Sequence, residues 1–180
     1  MAVLNPLALE LTNLAATEIL SVANHPADDT IGRREVSLSR NIWIDREDFR
    51  QEANKKFKRL VVGKRVRLRG GYVIEADRCD VNTQGEVTKV YATVVPQTLG
   101  EDPDDGVKAK GVIHWVDQSN AIEAEIRSYD RLFAVSDPSS AEDFDQVINQ
   151  NSLTTSTAFL EASLVHAEPE ARYQFEREGY

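Results

Sequence analysis

Within the run Lys64-Arg65-Val66-Arg67-Leu68-Arg69, charged and apolar residues alternate strictly from Arg65 to Arg69. In a strand, successive side chains point to opposite faces, so this pattern places Arg65, Arg67 and Arg69 on one side and Val66 and Leu68 on the other. A helix would scatter both sets around its circumference. Most of the chain repeats this grammar, with short period-two runs bounded by Gly, Pro, Asn and Asp, which predicts an all-β fold. Strands are expected at Leu7 to Leu14, Arg34 to Leu38, Arg65 to Arg69, Tyr72 to Asp80, Val87 to Val95, Gly111 to Val116, Ile122 to Ser128, Arg131 to Val135, Leu153 to Phe159 and Tyr173 to Glu178. That number overfills one small barrel and suits two.

The segment Val81 to Val87 carries Gly85 between two alternating runs, so Tyr72 to Val95 is expected to form a hairpin. Pro96 to Gly106, rich in Pro, Gly and Asp, is the expected boundary between two β units, 1–103 and 104–180. Ser21 to Gly32 reads as a loop, in which His25 is expected to be a surface histidine with no role, an RNA contact being the alternative. Two helices are expected to interrupt the strands. The first starts at Asp45 as N-cap, with Glu47 and Asp48 in its first turn and Lys55, Lys56 and Lys58 at its far end, a gradient that matches the helix dipole. The second is short, from Ser139 or Ser140 to Ile148-Asn149.

Charge is distributed unevenly. The 180 residues carry a net charge of −9, yet thirteen of the 21 Lys and Arg residues fall between Arg33 and Arg69, with only five acidic neighbours. A polyanion meets the local potential of a patch rather than the summed charge, so this composition admits nucleic acid at the basic segment and disfavours docking elsewhere. An arginine row can equally be a solvated strand face that deters stray pairing. A hydrophobic content of 41% supports an ordinary core. No apolar run approaches a membrane span, and residues 1–6 lack the basic start and apolar stretch of a secretory signal, so a cytosolic protein with no membrane association is expected. The lone Cys79 cannot form an internal disulfide, and is expected to be a half-buried strand residue. His25, His114 and His166 are widely spaced with no metal-ligand pattern, and Asp102 to Gly106 lacks the ligand spacing of a calcium loop. No metal site is expected.

Four blocks resemble the glutaminyl-tRNA synthetase family: Ile42 to Arg50; Lys58 to Lys64 with Val66 to Arg69; Gly111-Val112-Ile113-His114-Trp115-Val116, led in by Asp104, Gly106, Lys108 and Lys110; and Gln174 to Tyr180. The similarity runs from Met1 to Tyr180 in order and spacing. Related glutamyl synthetases of the archaeal and eukaryotic kind share the architecture, but the string from Gly111 to Val116 favours the glutamine enzyme. The resemblance is to the C-terminal anticodon-binding part. It implies two consecutive closed six-stranded antiparallel β-barrels that exchange strands. It also implies tRNA(Gln) as partner rather than DNA, a monomer, and a parent enzyme that uses ATP and Mg2+ on a separate N-terminal catalytic domain. The nucleotide-binding signatures of that domain are absent here, so no cofactor and no aminoacylation are expected of these residues alone. A β-barrel module that binds protein or RNA without reading an anticodon is the competing reading.

By the same resemblance, Lys58 and Arg59 match positions for the third anticodon base. Arg67 matches the first, with Arg69 as phosphate support, and Gln174 and Arg177 match the middle base. These residue types suit the task, because unstacked loop bases expose edges that guanidinium, ammonium and amide groups can hydrogen-bond. Lys56 stands where some members carry Gln and Ala27 where some carry Asn. A further middle-base Arg of the family would precede Met1, and the family continues past Tyr180 with strands that complete the second barrel. Trp43 and Trp115 are expected to serve packing rather than base stacking, since they sit in apolar alternation, and His114 is expected to be a hydrogen-bonded structural histidine rather than a catalytic one, since no recognisable motif sets a nucleophile or second acid beside it.

Overall fold

The computed structural model describes residues 1–25, 27–168, 170–171, 173 and 175. The regular elements among them are strands and short 3-10 turns. In chain order the strands are β1 (Ala2–Val3), β2 (Pro6–Leu11), β3 (Glu18–Ala23), β4 (Arg33–Leu38), β5 (Asn41–Asp45), β6 (Phe49–Arg50), β7 (Leu60–Val61), β8 (Arg65–Leu68), β9 (Val73–Val81), β10 (Val87–Val94), β11 (Val112–Ile113), β12 (Trp115–Asp117), β13 (Ile122–Tyr129) and β14 (Leu153–Leu160).

The main sheet has the order β11-β8-β9-β10-β2-β5-β12. Its two outermost strands, β11 and β12, are separated in sequence by His114 alone. A sheet whose opposite edges belong to one continuous segment must be rolled up, so β11 and β12 act as one bent strand that nearly closes a barrel. Period-two burial fills the interior: Leu7, Leu9 and Leu11 from β2, Ile42 and Ile44 from β5, Val66 and Leu68 from β8, Val90, Ala92 and Val94 from β10, with Ile113 and Trp115 at the closing bend. Burial of each Leu, Ile or Val side chain among these stabilises the fold by about 1.5–3 kcal/mol. The β3–β4 hairpin adds Leu20, Val22, Val36 and Leu38 to the same core.

The pairing is mixed rather than purely antiparallel. Strand β10 runs parallel to β2, and β11 parallel to β8. Parallel neighbours require a long return of the chain, and both pairs have one, through residues 12–86 and 69–111 respectively. The remaining main-sheet ladders, including the β9–β10 hairpin, are antiparallel. At that hairpin Asn82 accepts from the amides of Gln84 and Glu86, both at 2.9 Å, and Gly85 takes φ +82°, as its tight turn demands.

A second sheet has the order β1-β14-β13. Its first strand comes from the chain's opening residues, with Ala2 opposite Leu160 and Val3 opposite Phe159, so the N-terminal segment is exchanged into the later half. Trp43 of β5 stacks on Phe159 of β14 at 5.0 Å between ring centroids, joining the two sheets.

Neither expected helix forms among the described residues. Asp45 does act as an N-cap, accepting from the Glu47 amide at 3.2 Å, but the turn it opens ends at Asp48. Phe49 is pulled into the core as a strand residue paired with Leu60, and the following residues lack the apolar stripe that would hold a helix against the barrel. Residues 51–59 form an irregular loop instead, turned at Asn54, whose side chain and carbonyl accept from the amides of Lys56 and Phe57. Between 137 and 149 the chain makes two single turns, Pro138–Ser140 and Asp145–Val147. Asp137 and Asp143 compete for the local amides there. The expected loop at Ser21 begins only at Asn24, because Ser21 to Ala23 finish β3. The expected strand at Arg131 to Val135 reduces to one bridge between Phe133 and Ile148. Strands β1, β3, β5, β6 and β7 fall outside the expected ranges, although the apolar alternation of β5 is visible in the sequence.

Candidate nucleic-acid interface

Strand β8 realises the alternation that its sequence announces. Val66 and Leu68 are fully buried, while Arg65 and Arg67 are half-buried on the other face. Their guanidinium groups are not simply displayed to solvent. Arg65 donates through Nε to Glu75 at 2.7 Å and through one terminal nitrogen to both Asp105 oxygens at 2.8 and 2.7 Å. The hydrogen bonds to Glu75 and then Asp105 raise its already high pKa. A backbone hydrogen bond from Val107, followed by the Arg65 fork, holds the Asp105 carboxyl below its usual range. Arg67 donates to the carbonyls of Thr98 at 2.6 Å and Glu101 at 2.5 Å, with Asp102 at 3.5 Å. The acidic loop after β10 therefore closes over this face of β8. Thr98 is its buried anchor: its hydroxyl accepts from the Val73 amide at 2.9 Å and donates to the Val95 carbonyl at 2.7 Å.

Lys58 and Arg59 lie at the end of the 51–59 loop, just before β7. Arg59 donates through Nε to Asp48 at 3.0 Å, and Asp48 is 1% exposed against 36% for the Arg59 side chain. A buried carboxylate thus aims a guanidinium whose other end remains accessible, an arrangement that limits the rotamers left to be ordered on binding. Lys58, Lys55, Lys56, Lys64 and Lys110 are exposed, and Arg50 covers the Phe57 ring at 4.6 Å.

Gly111 joins these basic segments. On one flank its carbonyl accepts from the Arg67 amide at 2.9 Å, and the neighbouring Lys110 amide donates to Arg65 at 3.0 Å. On the other flank an ideal Cβ at Gly111 would lie 2.1 Å from the Lys58 carbonyl oxygen and 3.7 Å from an Arg59 nitrogen. Only a residue without a side chain lets strand 110–113 pass between Lys58 and Arg67. The sequence-predicted residues Lys58, Arg59 and Arg67 are thereby brought together on two sides of one backbone segment. Arg69 follows on β8's course, its amide donating to Ile113 at 2.9 Å and its carbonyl accepting from Trp115 Nε1 at 3.0 Å. Gln174 and Arg177 lie outside the described residues.

Several contributors escaped the sequence reading. In the sequence Arg65 is one of a row with nothing to mark it as the partner of Asp105, and Asp48, expected in the first turn of a helix, instead supports Arg59. Gly111 carried a signal, as the small residue that opens an otherwise bulky run. Trp115 is fully buried and Trp43 is occupied by Phe159, so both indoles serve packing as expected, and His114 is buried at the closing bend. His25 sits in the 24–32 loop, where its Nδ1 accepts from the Ala27 amide at 3.2 Å. Among the described residues no three His, Cys, Asp or Glu side chains are grouped to hold a metal ion, and no helix is long and apolar enough to cross a membrane.

Residues 1–95 match the profile of the family described as tRNA synthetases class I (E and Q), anti-codon binding domain, and residues 112–180 match a second profile of the same description. Similar curated proteins are the glutamine–tRNA ligases of Vibrio parahaemolyticus, 54% identical over 182 residues, Vibrio vulnificus, 54% over 182, and Serratia proteamaculans, 53% over 181. Each alignment covers 100% of this chain and 33% of the relative, so the chain spans about a third of the length of the curated relatives it matches.

Proposed function

Because the chain belongs to the anticodon-binding domain family of the class I tRNA synthetases for glutamate and glutamine, we propose that it is the anticodon-reading part of a glutamine–tRNA ligase. Its ligand is the anticodon loop of tRNA(Gln). The parent enzyme, a cytoplasmic monomer, attaches glutamine using ATP and Mg2+ on a catalytic domain outside these residues.

In this reading the loop bases are unstacked over the barrel face that carries Lys58, Arg59 and Arg67. Arg59, aimed by Asp48, and Lys58 meet the third base. Arg67 meets the first with whatever donor surface the Thr98 and Glu101 carbonyls leave, Arg69 supports a phosphate, and Gln174 with Arg177 takes the middle base. The exposed lysines supply sequence-independent attraction, while the oriented guanidinium groups discriminate. The observation that supports the proposal is the packing of Gly111, whose backbone lies against the Lys58 carbonyl on one flank and is hydrogen-bonded to the Arg67 amide on the other.

Fluorescence anisotropy with a labelled anticodon stem-loop RNA tests it. With about four or five lysines engaged, the log–log salt slope should be about −3, at roughly 0.7 per phosphate for single strands. Arg59→Ala should reduce discrimination among single-base anticodon variants, whereas Arg127→Ala, exposed on β13, should not. Equal binding of every loop by the unaltered chain would reduce the interface to a phosphate grip and refute anticodon reading.

A further inference from the structure

Arg65 is well placed to matter without touching RNA. Its fork is already satisfied by two carboxylates, Glu75 at 2.7 Å and Asp105 at 2.8 and 2.7 Å, and its side chain is 16% exposed. A guanidinium neutralised in this way offers little to a phosphate. What it does hold is the far end of the 96–107 loop. The near end of that loop is pinned by the buried Thr98, but Glu101 to Val107 are exposed apart from Pro103 and are tied down by few bonds. Among the described residues these are the Gly106 amide to Pro103 at 3.2 Å, the Val107 amide to Asp105 at 2.9 Å, an exposed Lys108–Asp102 ion pair at 3.6 Å, the Arg67 contacts to Glu101 and Asp102, and the Arg65 clamp itself. The same loop carries the Glu101 carbonyl and the Asp102 carboxylate that orient Arg67, two residues along β8 on the same face. One arginine therefore holds the loop, and the loop holds the other arginine.

We infer that the Arg65–Asp105 pair is a positioning strut that sets specificity at the anticodon base read by Arg67. This rests on the proposed function and adds residues to it for which neither the sequence pattern nor the resemblance gave a role. Without the strut the outer loop drifts, Glu101 no longer fixes one end of the Arg67 fork, and Arg67 samples rotamers that favour no particular base. Arg65 and Asp105 carry opposite charges, so their removal separates positioning from electrostatics. Arg65→Gln makes the net charge more negative by one and Asp105→Asn makes it less negative by one, yet both should impair discrimination.

The experiment measures affinities of the full chain and its variants for the glutamine anticodon stem-loop and for loops altered singly at each anticodon position. In both Arg65→Gln and Asp105→Asn the preference against first-position variants should fall by about tenfold, the low end of what one bidentate base contact contributes. Preference at the other two positions should stay within twofold, and the double variant should discriminate no worse than either single one, because both break the same strut. The salt slope should be unchanged in Arg65→Gln but reduced by about 0.7 in Lys110→Ala. Asp105 is half exposed, so Asp105→Asn provides a folded variant even if Arg65→Gln unfolds. Unaltered first-position preference in Asp105→Asn, or equal loss at all three positions, overturns the inference while leaving anticodon reading intact. An unaltered chain that prefers no loop overturns both.

Discussion

Gly111→Ala should be the most damaging single-methyl change near the basic face. The added Cβ would sit 2.1 Å from the Lys58 carbonyl oxygen, and relief to an ordinary carbon–oxygen contact needs a separation of about 1 Å more. The obstructing atom is main chain and cannot swing aside as a flexible side chain would. Retreat in the other direction is blocked as well, because Gly111 and Lys110 are held to β8 by hydrogen bonds of 2.9 and 3.0 Å. A displacement of that size would carry them beyond useful length. Overpacking of this kind costs about 1–3 kcal/mol. Urea unfolding should therefore show a lower midpoint with an unchanged slope, and anisotropy under fully native conditions should show several-fold weaker binding of the glutamine anticodon loop. Lys110→Ala, which removes an exposed charge next door, should weaken binding without moving the midpoint. A Gly111→Ala protein with the unaltered midpoint and affinity would refute the claim that this glycine seats the two basic segments together. A lowered midpoint with full affinity would detach the seat from the interface.

Arg59→Ala should cost stability as well as affinity, by about 1–3 kcal/mol, because it strips the Nε donor from a carboxylate that is 1% exposed. Adding Asp48→Asn should recover part of the unfolding midpoint and none of the RNA affinity. Acid should act through Glu161. Burial pushes its carboxyl up, but hydrogen bonds from Arg34, the N-terminal ammonium at 2.8 Å and Ser163 at 2.7 Å outweigh burial and lower its pKa from 4.5 to about 2. A depressed carboxylate stabilises the fold fully above its unfolded pKa and loses that contribution as pH falls from about 4.5 towards 2, up to about 3 kcal/mol. Thermal melts across this range should show a steeper decline for the unaltered chain than for Glu161→Gln, and parallel curves would sink the assignment.

Alternation was the legible part of the fold. It located β8, both arms of the β9–β10 hairpin, and the long strands β13 and β14, because a half-buried strand writes its orientation into every second residue. The helix reading failed at Asp45 for an instructive reason. Cap residues and a favourable charge gradient are local signals, and they are equally compatible with a single turn when no apolar stripe follows. In the site, the resemblance selected Lys58, Arg59, Arg67 and Arg69, but nothing local distinguished Arg65 from Arg67. Their difference depends on Asp105 and Glu101, some forty and thirty-four residues away in sequence.

By itself the sequence determined that this chain is built of short strands, that its cations are concentrated between residues 33 and 69, and to which family it is similar. These are properties of residue order and composition, and they hold before any distant segments meet. Tertiary structure alone decided how the sheet is joined edge to edge through the bend at His114, and that the opening residues pair with β14. It also decided which carboxylates and carbonyls hold Arg59, Arg65 and Arg67. Those outcomes depend on where distant segments meet, and a charge has no fixed role until the group beside it is known.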